Sequence, residues 1–379
     1  MNYSAILMTL LFAYTYNSSA PDAVNVQQWP DFVEPVKPSP LGAEVTHYAK
    51  GNLHAPETNI ITPSGFYSLC EDGTIRSVSA TGETSVSVNV GGRPLGGAYA
   101  SSESTKNVDV LYIAEVSKGI LRIEVSLVKP PKPPKIELVS YLVTESSEPI
   151  LYADDVAIGP SGLVYFSDAS DLPVPLKKGS KVKRDTLGTS IQDGIRGKRS
   201  GKVLRFDPKS KETVVISRGI WFANGVAVGP KEEYLLVCET FAARVLKISL
   251  RDENYGEISV FASGVFPGYV DGLSISSTGK VHVAVPSPAP AAILFLSKVK
   301  PVWLNTVLRS LILTLPPFIK EVVYGCYVTL DLEGNVIETR VDESGDYANF
   351  VTSVEEHNDK IYLGSLKVDY IGVLDKYNI

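Results

Sequence analysis

Four segments of the chain share one order of polar and apolar positions. They are Glu57-Thr-Asn-Ile-Ile-Thr-Pro-Ser-Gly, Asp154-Asp-Val-Ala-Ile-Gly-Pro-Ser-Gly, Asn224-Gly-Val-Ala-Val-Gly-Pro-Lys-Glu and Asp271-Gly-Leu-Ser-Ile-Ser-Ser-Thr-Gly. Each opens on an acid or amide, runs through a short apolar stretch and ends in turn residues. A second strand-like run follows at a near-constant offset: Phe66-Tyr-Ser-Leu, Val164-Tyr-Phe-Ser, Tyr234-Leu-Leu-Val and Val281-His-Val-Ala. A turn-linked strand pair recurring at this scale predicts a β-propeller.

Two further units fit the pattern less completely. Leu95-Gly-Gly-Ala-Tyr leads to Val110-Leu-Tyr-Ile-Ala, and Thr352-Ser-Val-Glu-Glu leads to Lys360-Ile-Tyr-Leu-Gly. With them the expected architecture is all-β, a six-bladed β-propeller, with Leu95 and Thr352 at the axial positions of two non-acidic blades. Gly119-Ile-Leu-Arg-Ile-Glu-Val, Gly201-Lys-Val-Leu-Arg-Phe and Arg244-Val-Leu-Lys-Ile alternate apolar and polar side chains as outer strands do.

Three insertions break the rhythm. Lys129-Pro-Pro-Lys-Pro-Pro-Lys reads as a stiff connector between blades. Residues 177–199 read as a basic loop, either solvated or serving as a lid or anionic-surface contact. Within residues 291–320, the apolar run from Val302 is bounded by Pro301 and Pro316-Pro317, which marks the start and stop of a short capping helix. That run is too short to span a bilayer. It is expected to pack on the propeller or to touch lipid as an interfacial helix over residues 302–315.

The polar starts carry the chemistry. In a propeller the innermost strand of each blade begins near the axis, so Glu57, Asp154, Asn224 and Asp271 are expected to meet at one point. They offer only oxygen ligands, which suits Ca²⁺ or Mg²⁺ and not Zn²⁺, whose sites call for His or Cys. Asp155 and His54 are candidates for the surrounding pocket. His282, inside a strand, reads as a core residue. The chain has no Gly-x-Ser-x-Gly elbow and no phosphate-binding glycine loop followed by Lys and Ser or Thr.

Composition narrows the class. With 379 residues, 44% of them hydrophobic and 21% charged, the chain can bury one large core without disulfides. A net charge of −6 argues against nucleic acid as the main partner. Cys70, Cys238 and Cys326 are an odd number with no metal-ligand spacing, and read as buried thiols. Ala5-Ile-Leu-Met-Thr-Leu-Leu-Phe-Ala ahead of Ala20-Pro reads as a signal peptide, although no basic residue precedes it. The expected layout is therefore a leader at 1–20, an N-terminal extension at 21–52 and the propeller at 53–379. It implies the secretory pathway, extracellular or lumenal, with membrane association as the alternative.

Several motifs together resemble the strictosidine synthase-like family. They are Gly92-Arg-Pro-Leu-Gly, Tyr152-Ala-Asp-Asp-Val with Tyr165-Phe-Ser-Asp-Ala-Ser, Phe222-Ala-Asn-Gly-Val-Ala with Val237-Cys-Glu-Thr, Pro267-Gly-Tyr-Val-Asp-Gly-Leu and Tyr362-Leu-Gly-Ser-Leu. That family is similar in fold to the paraoxonases and the gluconolactonase/regucalcin group, six-bladed propellers with a divalent cation in the central channel. The resemblance implies the same four metal ligands. Asp154 departs from it, since relatives have Asn there. So does Thr352, which stands where the founding plant synthase has its catalytic glutamate. The resemblance therefore implies a metal-dependent hydrolase of esters or lactones, arylesterase-like or lactonase-like, with Asp271 or Asp154 as base or nucleophile. The alternative is a non-catalytic, metal-stabilised binding or membrane-surface protein. A condensing synthase is disfavoured, because Thr352 cannot supply general acid–base catalysis.

Overall fold

The computed structural model describes residues 32–79, 81–289, 294, 296, 298–299, 302–314 and 323–376. The leader expected at residues 1–20 lies outside them. Six sheets surround a central channel, five of four strands and one of five.

Blade one comprises Asn59–Thr62, Gly65–Leu69, Thr74–Val78 and Thr84–Asn89. Blade two comprises Pro94–Tyr99, Val108–Glu115, Gly119–Ser126 and Lys135–Ser140. Blade three holds Ala153–Ile158, Val164–Asp168, Gly201–Phe206 and Thr213–Ile220, and blade four Ala223–Val228, Tyr234–Glu239, Arg244–Ser249 and Ile258–Ser263. Within these blades each strand pairs antiparallel with the one before it.

The ends of the chain interlock. Blade six contains Val351–His357, Lys360–Ser365 and Ile371–Asp375, and its fourth strand is Thr46–Tyr48, paired antiparallel to the third. Blade five contains Leu273–Ile275, Val281–Ala284, Gly325–Leu330 and Val336–Asp342, and Pro38–Pro40 adds to its outer strand in parallel. Residues 38–48, read from sequence as part of an extension ahead of the propeller, thus belong to it. Thr46 Oγ1 donates to the Val373 carbonyl at 3.0 Å and Thr339 Oγ1 to that of Val36 at 2.6 Å.

Apolar side chains of opposite parity on one strand face opposite blades, because strand side chains alternate. On Val108–Glu115, Val110, Tyr112 and Ala114 pack toward Phe166 and Leu204 of blade three, whereas Leu111 and Ile113 pack toward Tyr67 and Leu69 of blade one. Such strands are buried on both faces, so their sequence reads as a continuous apolar run. Similar clusters join the other neighbouring blades. The cysteines are free and buried within them.

Two insertions differ from the sequence reading. The proline-rich stretch after Lys129 joins the third and fourth strands of blade two rather than two blades. Residues 177–199 are not all loop, since Thr186–Arg196 is an α-helix. Its N-cap is Asp185, whose side chain accepts from Gly188 N, and Gly197 ends it in the left-handed conformation at φ 71°. Val302–Thr314 is helical, as the bounding prolines indicate, and the two helices pack together. Among the described residues no helix is long and apolar enough to cross a membrane.

Candidate metal centre

Three acids at the ends of second strands set the backbone that leads into the channel. Glu115 Oε1 accepts from Arg93 N at 2.6 Å, Asp168 Oδ1 from Tyr152 N at 2.7 Å and Glu239 Oε1 from Trp221 N at 2.8 Å. Each acid thereby holds the residues entering the inner strand of its own blade. Lys202 lies 3.0 Å from Asp168 and Arg244 2.5 Å from Glu239, which offsets the charge of these buried anchors.

Just beyond the anchors, Glu57, Asp154, Asn224 and Asp271 line one cavity of about 470 Å³ on the propeller axis. All four are nearly buried, between 5% and 9% exposed. A chain of hydrogen bonds fixes the inner strands to one another at this level. Asp155 Oδ2 accepts from Val226 N at 2.9 Å, Gly225 N donates to Asp271 O at 3.2 Å and Gly272 N donates to Thr352 O at 2.9 Å. Thr352 Oγ1 then donates to Glu57 O at 2.9 Å. The approach is close enough to require glycine, since a Cβ on Gly272 would stand 2.4 Å from Thr352 O.

Electrostatics mark the cluster as strained in charge. Burial pushes the carboxyl of Asp271 well above its ordinary range, and Glu57 adds to the shift. Asp154 is raised in the same way, by burial first and then by Glu57 and Asp271. Burial also raises Glu57, opposed by Arg93, whose Nη2 lies 2.7 Å from Glu57 Oε2. Glu57 thus acts on both aspartates and Asp271 acts on Asp154, so the three carboxyl groups share a neighbourhood, and a hard cation would relieve that repulsion. Among the described residues no three Asp, Glu, His or Cys side chains already stand closed around one point. Glu57 is drawn to Arg93, and Asp271 hydrogen-bonds with Asn224.

The remaining candidates divide. Leu95 and Thr352 line the cavity as their axial positions require. Asp155 also lines it, but backbone amides engage its oxygens, Val156 N at 2.8 Å on Oδ1 and Val226 N on Oδ2. It is a strap between blades, poorly placed to orient a ligand. His54 does not reach the cavity. Its side chain is 55% exposed and lies 3.8 Å from Asp72, because the His54 carbonyl is pinned by Glu71 N at the outer turn. His282 is a core residue, 3.0 Å from Glu356 and 3.1 Å from Thr329.

An aromatic layer was missed at the sequence level. Tyr152, Phe222 and Tyr269 each precede a cluster residue by two positions, so the same repeat that revealed Asp154, Asn224 and Asp271 also carries them. They join Trp221, Phe241 and Leu95 in one apolar cluster. Phe241 contacts Phe222 edge-on at 5.5 Å and Tyr269 at 5.2 Å. Leu308 and Ile312 of the second helix pack on this cluster. That same face of the helix also carries polar side chains. Buried Asn305 donates to the carbonyls of Leu296 and Val299, and Arg309 Nε donates to Asn305 at 2.6 Å. Glu355, whose carboxyl is raised by burial to about 8, is a further cavity residue the repeat did not expose.

Comparison with known proteins bears on the family resemblance and the fold. Residues 154–253 match the strictosidine synthase family model. Protein STRICTOSIDINE SYNTHASE-LIKE 10 of Arabidopsis thaliana is 29% identical over 297 residues, covering 76% of this chain and 70% of its own. The resemblance to the strictosidine synthase-like family is borne out. Adipocyte plasma membrane-associated protein of Salmo salar is 28% identical over 291 residues, 75% of this chain and 63% of its own. Among solved structures, a gluconolactonase of Xanthomonas campestris superposes with a TM-score of 0.59 at 12% identity, covering 92% of this chain and 99% of that one. The calcium-binding protein regucalcin of Agrobacterium tumefaciens gives 0.54 at 13% identity, covering 90% and 95%. At such identities the likeness shows the six-bladed fold.

Proposed function

We propose that this protein is a divalent-cation-dependent hydrolase of esters or lactones, with Glu57, Asp154, Asn224 and Asp271 as ligands to Ca²⁺ or Mg²⁺. The observation that carries this reading is the convergence of four buried oxygen-donor side chains on one cavity. Neighbours in fold named as a gluconolactonase and a calcium-binding protein support it. A bound cation supplies polarisation of a carbonyl oxygen and a lowered pKa for water.

The protein's own residues do the rest. Asp271 or Asp154, ionised when a cation is held and of raised proton affinity through burial, would accept a proton from water as it adds to the ester carbon and return it to the departing oxygen. In holding an ion, Glu57 would share its carboxylate with Arg93. The cavity wall sets the acids Glu57, Asp154, Asp155, Asp271 and Glu355 beside apolar Ile60, Leu95, Val226 and Leu273, which disfavours an anionic substrate.

Amine–aldehyde condensation is not supported, since Thr352 carries no carboxyl group and its hydroxyl is engaged by the Glu57 carbonyl. The second reading, a non-catalytic membrane-surface protein, draws on relatives named for plasma-membrane association. It also draws on the aromatic layer packed over the cluster. Those relatives also support a place at a membrane surface or in the secretory pathway. The deciding experiment is metal analysis of the purified protein, followed by a panel of aryl esters and lactones with and without chelator. Chelator-sensitive turnover supports the hydrolase. A metal-loaded protein inactive on the whole panel supports the binding protein.

A further inference from the structure

Residues 176–199 carry eight Lys and Arg against two Asp, in a chain of net charge −6. Their first part is a hairpin closed by the Leu176–Arg184 bridge and turned at Gly179, where φ is 82°. Ser180 Oγ tightens the turn by accepting from Lys183 N at 2.8 Å and Val182 N at 3.2 Å. Two lysines anchor it: Lys177 Nζ lies 2.5 Å and Lys183 Nζ 2.8 Å from the carboxylate of Glu71. Those pairs hold Glu71 down to about 2, so the anchor stays ionised at any physiological pH.

The tip is different. Lys178 and Lys181 are exposed and have no acidic partner among the described residues. Beside them Leu176 is 45% and Val182 43% exposed. Glu71 follows the second strand of blade one and donates its N–H to the His54 carbonyl, so the hairpin is clamped at the end of the propeller where Glu57 lies.

We propose that the hairpin at residues 176–184 docks the protein on an anionic lipid bilayer. Unpaired lysines interleaved with exposed aliphatic side chains match an acidic headgroup layer above a hydrocarbon boundary. A bilayer is flat and meets only what projects, so the acidic remainder of the chain does not oppose contact. A nucleic acid would run past the patch onto that acidic surface. It would also find no aromatic side chain in residues 176–199 on which to stack a base. Docking through this hairpin turns the two-helix cap toward the membrane.

The test is co-sedimentation of the full chain with phosphatidylcholine vesicles, alone and mixed with phosphatidylserine, at low and high salt. Comparison with neutral vesicles removes any contribution from the apolar N-terminus. The expected result is preferential binding to phosphatidylserine vesicles that salt weakens. Lys178→Glu and Lys181→Glu should each weaken it about fivefold or more, and Leu176→Ser with Val182→Ser should weaken it at both salt concentrations. Melting curves of the variants should match the parent, since these side chains are exposed. Equal binding to both vesicle types, indifference to the two charge reversals, or displacement from vesicles by homopolymeric RNA at lower concentration than by soluble phosphoserine would overturn the proposal.

Discussion

The Thr352 hydroxyl donates a 2.9 Å hydrogen bond to the backbone carbonyl of Glu57, joining the last blade to the first across 295 residues. Thr352 is 2% exposed, so its hydroxyl has no ready exchange with water. Thr352→Val keeps the volume and leaves the Glu57 carbonyl short of that donor. It should cost about 1–2 kcal/mol in chemical denaturation, and Thr352→Ser should recover most of it. Turnover of any ester substrate should change little. A large loss of turnover with unchanged stability would make Thr352 a catalytic residue.

Asp193 on the first helix gives a pH signature. It is fully buried, accepts from Ser170 Oγ at 2.6 Å, and has its second oxygen unpartnered among the described residues. Burial raises its carboxyl to about 7. The native state therefore keeps a proton that the unfolded chain releases near pH 4. Stability should fall as pH rises from about 4 to about 7 and then level off. Asp193→Asn should flatten that slope, by about 1.4 kcal/mol per pH unit at most. An unchanged slope in denaturation at several pH values would show that Asp193 is ionised throughout.

The cation-free cluster should show the same sign more strongly. Glu57, Asp154 and Asp271 are all raised, and burial lifts Asp155 to about 7 and Glu355 to about 8 in the same cavity. The chelated protein should thus lose stability as pH rises from about 4 through about 8. Saturating Ca²⁺ should restore it on the alkaline side, by about 2.7 kcal/mol at a hundredfold excess over Kd. Melting curves with Ca²⁺ or chelator across pH read this directly. Identical curves would leave the four residues as strand caps.

Arg93 is 1% exposed and pairs with Glu57 at 2.7 Å. Arg93→Met leaves that carboxylate buried and uncompensated, at a cost of about 3–5 kcal/mol. Glu57→Gln in the Arg93→Met background should recover part of the loss, as a double-mutant cycle measures. Strict additivity of the two changes would mean the pair is not coupled.

The blades were legible because the acid or amide at four of the six inner strands recurs with its turn, and a repeat is a local signal. What escaped the sequence is long-range or locally disguised. Thr46–Tyr48 is too short to signal a strand and is defined only by Ile371–Asp375 beside it. The helix Thr186–Arg196 has its caps in sequence, Asp185 and Gly197, but Gly188 and Gly194 lower its helical propensity. Gly194 is there for packing, since a Cβ would meet the Phe241 ring at 2.4 Å. His54 was placed by its distance from Glu57 along the chain, which says nothing about the direction its ring takes. The aromatic layer was readable from the repeat, two positions ahead of Asp154, Asn224 and Asp271.

The central claim is that Asp271 serves a cation-dependent hydrolysis. Its most direct test is the rate of ester or lactone turnover by Asp271→Asn, with metal content measured on the same samples. The account predicts that the parent turns over substrate only with Ca²⁺ or Mg²⁺ present. Asp271→Asn should lose turnover by about a hundredfold or more, and Asn224→Ala should do likewise. Parent and Asp271→Asn proteins hydrolysing at the same rate, with or without chelator, would contradict it.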